Sequence, residues 1–153
     1  MSRLEDLRTR QLDETLEPFR SLRTLTPPEQ GWARTIRDAL GMSLRQLAER
    51  TGKSKTTVAS AEAFESKGTV QLDSLRVLAN GLDCDLIYAL VPRDTLRDVI
   101  DRQAERIATR LVTRVSDSME LESQGVGADE KDRQIKELKT EILQKRGRDF
   151  WNV

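Results

Sequence analysis

Residues 43–62 constrain the fold of this chain more than any other stretch, because they have the pattern of two short helices joined by a tight turn. Ser43 and Ser54 are placed to cap the two helices, since a serine hydroxyl can accept a hydrogen bond from a backbone N–H of the first turn. Gly52 lies between the helices, where the chain needs a positive φ that glycine adopts at little cost. The residues at helical spacing on the core side are Leu44, Leu47, Ala48, Val58 and Ala61.

The outer face of the second helix carries hydrogen-bond donors and positive charge, and no carboxylate occurs between Arg50 and Ala61. Such a face suits the phosphates and base edges of a DNA major groove. We predict that Lys55 and Thr56 contact base edges. The residues predicted to contact phosphates or adjacent bases are Arg45, Lys53, Ser54, Thr57, Ser60 and Lys67, the last of them in the loop after the helix.

The spacing of Ala48, Gly52 and Val58 resembles that of the helix-turn-helix in the lambda-repressor-like (XRE) family. The resemblance implies a mainly α, lambda-repressor-like helix-turn-helix bundle that binds a double-stranded DNA operator. Lys53 and Ala61 stand where relatives usually have larger aliphatic residues. The alternative interpretation of the same spacing is an αα-hairpin within a helical core.

The distribution of charge favours a DNA-binding surface, although Lys+Arg and Asp+Glu each number 26 and the net charge is zero. Residues 31–68 contain seven Lys/Arg and four Asp/Glu, whereas residues 69–92 contain one Arg and three Asp. Positive charge is therefore concentrated on the predicted DNA-binding module, as expected when only one face of a protein meets phosphate.

The composition argues against several other classes of protein. There is no histidine and Cys84 is the only cysteine, so we predict no metal site, no other cofactor and no enzymatic activity. Aromatic residues make up 4% of the chain, which disfavours single-strand binding by base stacking. The chain has no apolar run of membrane-spanning length and no signal-peptide pattern, so we expect a cytoplasmic protein. A protein-binding adaptor without DNA affinity is the competing class.

Three regions are predicted along the chain. Residues 1–25 form an N-terminal helical arm that Pro18 should kink or split. This arm either docks on a partner subunit or covers the protein's own core. Residues 26–92 form the helix-turn-helix domain with a dimerisation strand. Residues 93–153 form a C-terminal helical hairpin that contacts the bundle, a sister subunit or a separate protein.

The first helix of the DNA-binding domain is predicted to start at Pro27, with Thr26 and Glu29 as a capping box, and to run to about residue 40. Arg34 and Arg37 are expected on its outer face, where they contact phosphates or water. The large or apolar residues expected in the core of this domain are Trp32, Ile36, Ala39, Leu40 and Phe64.

Residues 85–91, with the sequence DLIYALV, predict a β-strand that Pro92 closes. A single strand cannot satisfy its own backbone groups, so we expect it to pair with its copy in a two-fold homodimer. The competing interpretation is a helix that continues into the next segment, which Pro92 disfavours. Gly81 is the expected C-cap of the preceding helix. The residues of the predicted dimer strand are Leu86, Ile87, Tyr88 and Leu90.

The C-terminal region is predicted as two amphipathic helices, over residues 93–123 and 129–145. The apolar stripes on these helices are too narrow for an independent domain. Phe150 and Trp151, in the tail that follows, are expected to be exposed.

The order of several motifs resembles a second family. They are GWARTIRDALGMSLRQLAERTG at 31–52, CDLIYALVP at 84–92, RQAERIA at 102–108, SMELESQ at 118–124 and FW at 150–151. Together they resemble the family called mobile mystery protein A. This resemblance implies a DNA-binding protein of mobile elements that is paired with a Fic-domain companion. It implies that the protein acts as antitoxin and as repressor of the shared operon. The alternative is a stand-alone repressor or a protein-binding adaptor with no toxin-inhibiting role.

Some Fic inhibitors resemble one another in a motif of Ser or Thr, three residues, Glu, and then Gly or Asn. Ser118 and Glu122 match its first two elements, and Ser123 replaces the Gly or Asn. A carboxylate can occupy an arginine that would otherwise hold the ATP γ-phosphate. Ser118 and Glu122 are therefore predicted toxin-inhibitory residues, and the alternative is a solvated helix end.

Overall fold

The computed structural model describes residues 3–121 and 127–152, which contain seven α-helices. The chain divides into two compact units. One unit is formed by residues 21–90, and the other by the described parts of residues 1–20 and 91–153.

The unit of residues 21–90 is a bundle of four helices. These are α2 (Trp32–Ala39), α3 (Leu44–Thr51), α4 (Lys55–Ser66) and α5 (Leu72–Gly81). Its small core forms where all four helices meet, as the spacing around Gly52 predicted. The buried apolar residues of this core are Ala33, Leu47, Ala48, Val58, Ala61, Leu78 and Leu82.

The start of α2 corrects the predicted first helix. The helix begins at Trp32 rather than at Pro27, because Gly31 adopts a positive φ of 83° and residues before it form a turn. The buried face of α2 is built from Ala33 and Arg37, so Trp32 lies to one side of it and is 48% exposed. Leu40, which follows the helix, is also exposed. The prediction that Trp32 and Leu40 anchor the core is wrong.

The predicted β-strand is also wrong, since residues 3–121 and 127–152 contain no strand. Residues 85–91 are irregular, and Ile87, Tyr88 and Leu90 expose 73%, 65% and 89% of their surface. The physical reason is that side-chain preference for strands reflects packing on neighbouring strands. No second strand is available within the described chain to take up these backbone groups.

The other unit is built from α1 (Arg3–Leu16), α6 (Leu96–Leu121) and α7 (Ala128–Gln144). A 3-10 helix, Glu17–Thr24, begins directly after α1, so the regular α-helix ends two residues before Pro18. α1 packs against α6, and the Asp13 carboxylate accepts hydrogen bonds from the backbone N–H groups of Leu96 (2.7 Å) and Arg97 (3.4 Å). A carboxylate at a helix N-terminus is favourable because unpaired N–H groups point toward it.

The C-terminal tail corrects another prediction. A second 3-10 helix, Arg148–Trp151, places Phe150 against α6 with only 5% of its surface exposed. The side-chain amide of Gln103 donates to the Phe150 carbonyl at 2.8 Å. Trp151 is exposed as expected, whereas Phe150 is a core residue of this unit.

Candidate nucleic-acid interface

The turn between α3 and α4 is held by local hydrogen bonds. Ser43 and Gln46 form a capping box at the start of α3, with Gln46 N–H donating to Ser43 Oγ at 3.2 Å and Ser43 N–H donating to Gln46 Oε1 at 2.8 Å. Gly52 ends α3 in the left-handed conformation, at φ 65° and ψ 24°. The Lys53 N–H then donates to the Ala48 carbonyl at 3.1 Å. The predicted cap and turn are confirmed.

The start of α4 is capped by Ser54, whose Oγ accepts from the Thr57 N–H at 3.1 Å. The two hydroxyls of Ser54 and Thr57 are themselves 2.8 Å apart. The confirmed cap means that Ser54 already has two local partners. Lys55, Thr56 and Ser60 form none of the side-chain hydrogen bonds found among the described residues.

The eight residues predicted to contact DNA are all exposed. Thr56, Ser60 and Lys67 lie along one line on α4 and its C-cap, since residues four and seven positions apart share a helical face. Arg45 lies on α3, where its guanidinium pairs with Glu49 at 3.0 Å. The full set is Arg45, Lys53, Ser54, Lys55, Thr56, Thr57, Ser60 and Lys67.

Ion pairing divides the basic residues of this unit into two groups. Every arginine in residues 31–68 forms an ion pair, whereas Lys53, Lys55 and Lys67 form none with the described residues. The three lysines therefore carry the local excess of positive charge that the sequence places in residues 31–68. The arginine pairs are Arg34–Asp38, Arg37–Asp38, Arg37–Glu62, Arg45–Glu49 and Arg50–Asp83.

A buried ion pair joins α2 to α4. The Arg37 guanidinium donates to Glu62 through Nε (2.7 Å) and through its second terminal nitrogen (3.1 Å), and it also donates to the Met42 carbonyl (2.8 Å). The pKa of Arg37 is raised, chiefly because Glu62 accepts its hydrogen bond. The prediction of an outer-face Arg37 is wrong. The residues close to Arg37 give no signal that its side chain is buried, because the carboxylate that pairs with it lies 25 positions along the chain.

Glu65 makes a second connection between these helices. Its carboxylate accepts from the backbone N–H of Trp32 at 2.7 Å and of Ala33 at 3.0 Å, and so caps the N-terminus of α2. A Cβ at Gly31 would lie 2.9 Å from this carboxylate. Glu62 and Glu65 together fix the side of α4 that faces inward, and thereby the side that faces out.

The packing of α3 on α5 depends on Gly81. A Cβ at this position would lie 2.5 Å from Thr51 Cγ2 and 2.7 Å from Leu47 Cδ1. Gly81 is the last residue of α5 and Leu82 is the C-cap, so the predicted capping role is wrong. Arg50 closes this end of the helix by donating to the Gly81 carbonyl at 2.6 Å.

The prediction that Phe64 lies in the core is wrong. Half of its surface is exposed. It follows Ser60 by four positions on α4, and that spacing was the signal in the sequence that placed it on the outer side. Phe64 lines a shallow groove between α4 and the start of α5, together with Thr56, Thr57, Ser60, Thr69 and Gln71.

The remaining predicted residues lie in the other parts of the chain. Ser118 is exposed near the end of α6 and donates to the Arg114 carbonyl at 3.0 Å, and Glu122 lies outside the described residues. Leu86 is half-buried. Among the described residues, no group of three Cys, Asp or Glu side chains could hold a metal ion. No helix in the same part of the chain is long and apolar enough to cross a membrane.

Residues 34–88 match the family described as helix-turn-helix. The match covers α3, the turn and α4, together with α5 and most of α2. No curated protein and no solved structure gives a significant match to the chain. Residues 34–88 are thus an XRE-like helix-turn-helix domain, the kind of domain that DNA-binding transcription regulators use.

Proposed function

Because residues 34–88 form a helix-turn-helix domain, we propose that this protein regulates transcription by seating α4 in the major groove of a specific operator. One observation carries the proposal. The outer side of α4 combines the unpaired lysines with free hydroxyls, while Glu62 and Glu65 are turned inward and held by α2. A recognition helix needs this separation, since a carboxylate on its outer side would repel phosphate.

The proposal assigns different roles to residues of one helix. Lys55 and Thr56 stand at its first positions, which reach base edges in helix-turn-helix complexes. Lys53 and Lys67 flank them at the two ends of α4 and are assigned to phosphates.

The test is a titration of wild-type protein and Lys55→Ala against the operator, identified by selection from random duplexes, and against unrelated DNA. The variant should lose affinity mainly for the operator, by a factor that corresponds to roughly 1–3 kcal/mol. Lys136→Ala is the matched control, because it removes an exposed lysine of α7 in the other unit. Equal binding of the operator by Lys55→Ala and wild type would contradict the placement of the recognition helix. A wild-type protein without affinity for any duplex would favour the adaptor function.

We further propose that the operator is bound by a homodimer. The support is the apolar segment at residues 87–90, where Ile87, Tyr88 and Leu90 are more exposed than is usual for such side chains. Their apolar side chains, rather than a shared sheet, would form the contact with a second copy of the chain.

Sedimentation analysis of the Ile87→Glu/Leu90→Glu protein tests this contact. We expect the double variant to be monomeric at concentrations at which the wild type is dimeric. Leu40→Glu, at an exposed leucine directly after α2, is the control. A monomeric wild type, or a double variant that dimerises normally, would contradict the proposed contact.

The role of antitoxin and autorepressor for a Fic-domain toxin is proposed from the resemblance to mobile mystery protein A alone. Its test is co-expression of a Fic companion with wild type, Glu122→Ala or Asp117→Ala. Asp117 is an exposed acidic residue of α6 and serves as the control. Loss of suppression of AMPylation only in Glu122→Ala is expected. Equal suppression by all three proteins would remove Glu122 from the inhibitory role.

A further inference from the structure

Phe64 is an unusual residue to leave exposed on this helix. Its outer-side neighbours along α4 are Thr56, Thr57, Ser60 and Ala63, which are small or carry hydroxyls. Half of the Phe64 surface is open, even though the core of the same unit lies on the other side of α4. The hydrophobic effect opposes this exposure, so an apolar group that covers the ring in a complex would be favoured.

Hydrogen bonds made by Phe64 and by the next residue, Glu65, hold the backbone of this part of α4 in place. The Phe64 carbonyl accepts from the Thr69 N–H at 2.9 Å, which closes the loop after α4. The adjacent Glu65 is held at the N-terminus of α2. The ring is therefore attached to a part of the helix that hydrogen bonds hold in place. It lies on one side of the groove that Thr69 and Gln71 also line.

The chemistry of the major groove limits what this ring can contact there. Base edges present donors and acceptors, and their one apolar group is the 5-methyl of thymine. Base faces are stacked inside a duplex and are not accessible to an exposed ring. Phe64 lies eight positions after Thr56, which is about 12 Å along an α-helix and about 80° around it, so the two side chains are at most roughly four base-pair steps apart.

On these grounds we propose that Phe64 contacts the 5-methyl group of a thymine in the operator, within about four base pairs of the base that Thr56 contacts. The inference rests on the proposed function, because it places α4 in the major groove. It adds a specificity-determining apolar contact to a surface otherwise made of lysines and hydroxyls.

The experiment replaces each thymine of the selected operator, one at a time, with deoxyuridine, which removes only the methyl group. Wild-type affinity should fall about fourfold at one thymine in each half-site, the factor that corresponds to burying one methyl-sized group. Phe64→Ala should bind the thymine and deoxyuridine forms of that site equally, and Phe64→Leu should keep part of the discrimination. Thermal unfolding of both variants checks that the domain is folded.

The outcomes distinguish this inference from the proposed function. If the wild type selects no operator, both are overturned. If it binds an operator but no single deoxyuridine lowers its affinity, the thymine contact alone is overturned, and this result does not depend on any variant. A methyl effect that persists in Phe64→Ala assigns the contact to another residue, such as Thr56, and also overturns the inference.

Discussion

Arg37 and Glu62 form a two-point ion pair that is almost fully enclosed, with exposed fractions of 8% and 5%. The pair joins the first helix of the helix-turn-helix domain to the helix proposed to read DNA. Both charges are taken out of water, and Glu62 accepts two hydrogen bonds from Arg37, which also donates to the Met42 carbonyl and pairs with Asp38 at 2.9 Å.

Removal of one partner should therefore destabilise the domain strongly. We expect Glu62→Ala to lower the free energy of unfolding by roughly 3 kcal/mol, the low end of the cost of breaking a buried ion pair, because Arg37 keeps only the exposed Asp38 carboxylate and the Met42 carbonyl as partners. The double variant Arg37→Met/Glu62→Leu should recover most of this loss. Urea unfolding measures the effect. Arg34→Ala, which removes an exposed arginine of the same helix, should change stability by no more than about 0.5 kcal/mol.

Gly81→Ala should lower the free energy of unfolding, although alanine has a higher helix propensity than glycine. The added Cβ would overlap Thr51 Cγ2 and Leu47 Cδ1, and overpacking of this kind costs about 1–3 kcal/mol. Gly147→Ala is the control, since its Cβ would lie 3.8 Å from the Lys145 carbonyl oxygen, an ordinary van der Waals distance. Denaturant unfolding should separate the two variants, and equal stability would contradict the close approach of α3 to α5.

Phe150→Ala should destabilise the unit that contains α1, α6 and α7. Loss of a buried phenylalanine typically costs about 3–5 kcal/mol, whereas Trp151→Ala removes a mostly exposed ring and should have a much smaller effect. Hydrogen exchange of the α6 amides can follow this unit by itself. Similar exchange in the two variants would show that the tail does not stabilise α6.

Lys67→Ala should weaken DNA binding by a similar factor on every sequence. A lysine that meets only phosphate contributes counterion release, so its loss should reduce the slope of log affinity against log salt concentration by about 0.9. Binding titrations at several salt concentrations measure this slope. A selective loss of operator affinity would instead assign Lys67 to a base edge.

The helix-turn-helix itself was predictable from the sequence because its signals are local. Ser43, Gly52 and Ser54 act on backbone groups within a few residues, and the structure has each of them in the expected role. The predicted exposure of Lys55 and Thr56 also follows from periodicity on one short helix.

The wrong predictions mostly concern residues whose hydrogen-bonding or packing partner is distant in the sequence. The residues close to Arg37 in the sequence give no signal that the Glu62 carboxylate pairs with it. The residues close to Trp32 likewise give no signal that Glu65 accepts a hydrogen bond from its backbone N–H. Residues 85–91 have strand-forming side chains, but no strand of the described chain lies beside them. The hydrophobicity of Phe64 predicts a core position, whereas its spacing of four from the exposed Ser60 predicts the outer side on which the structure has it.

Gly31 affects the contact between α2 and α4 as well as the turn in which it lies. Its bare α-carbon, at a φ of 83°, makes room for the Glu65 carboxylate at the head of α2. Any side chain there would push that carboxylate away from the N-terminus of α2. The contact that holds α4, the helix proposed to bind the duplex, against α2 therefore depends on a position that carries no side chain.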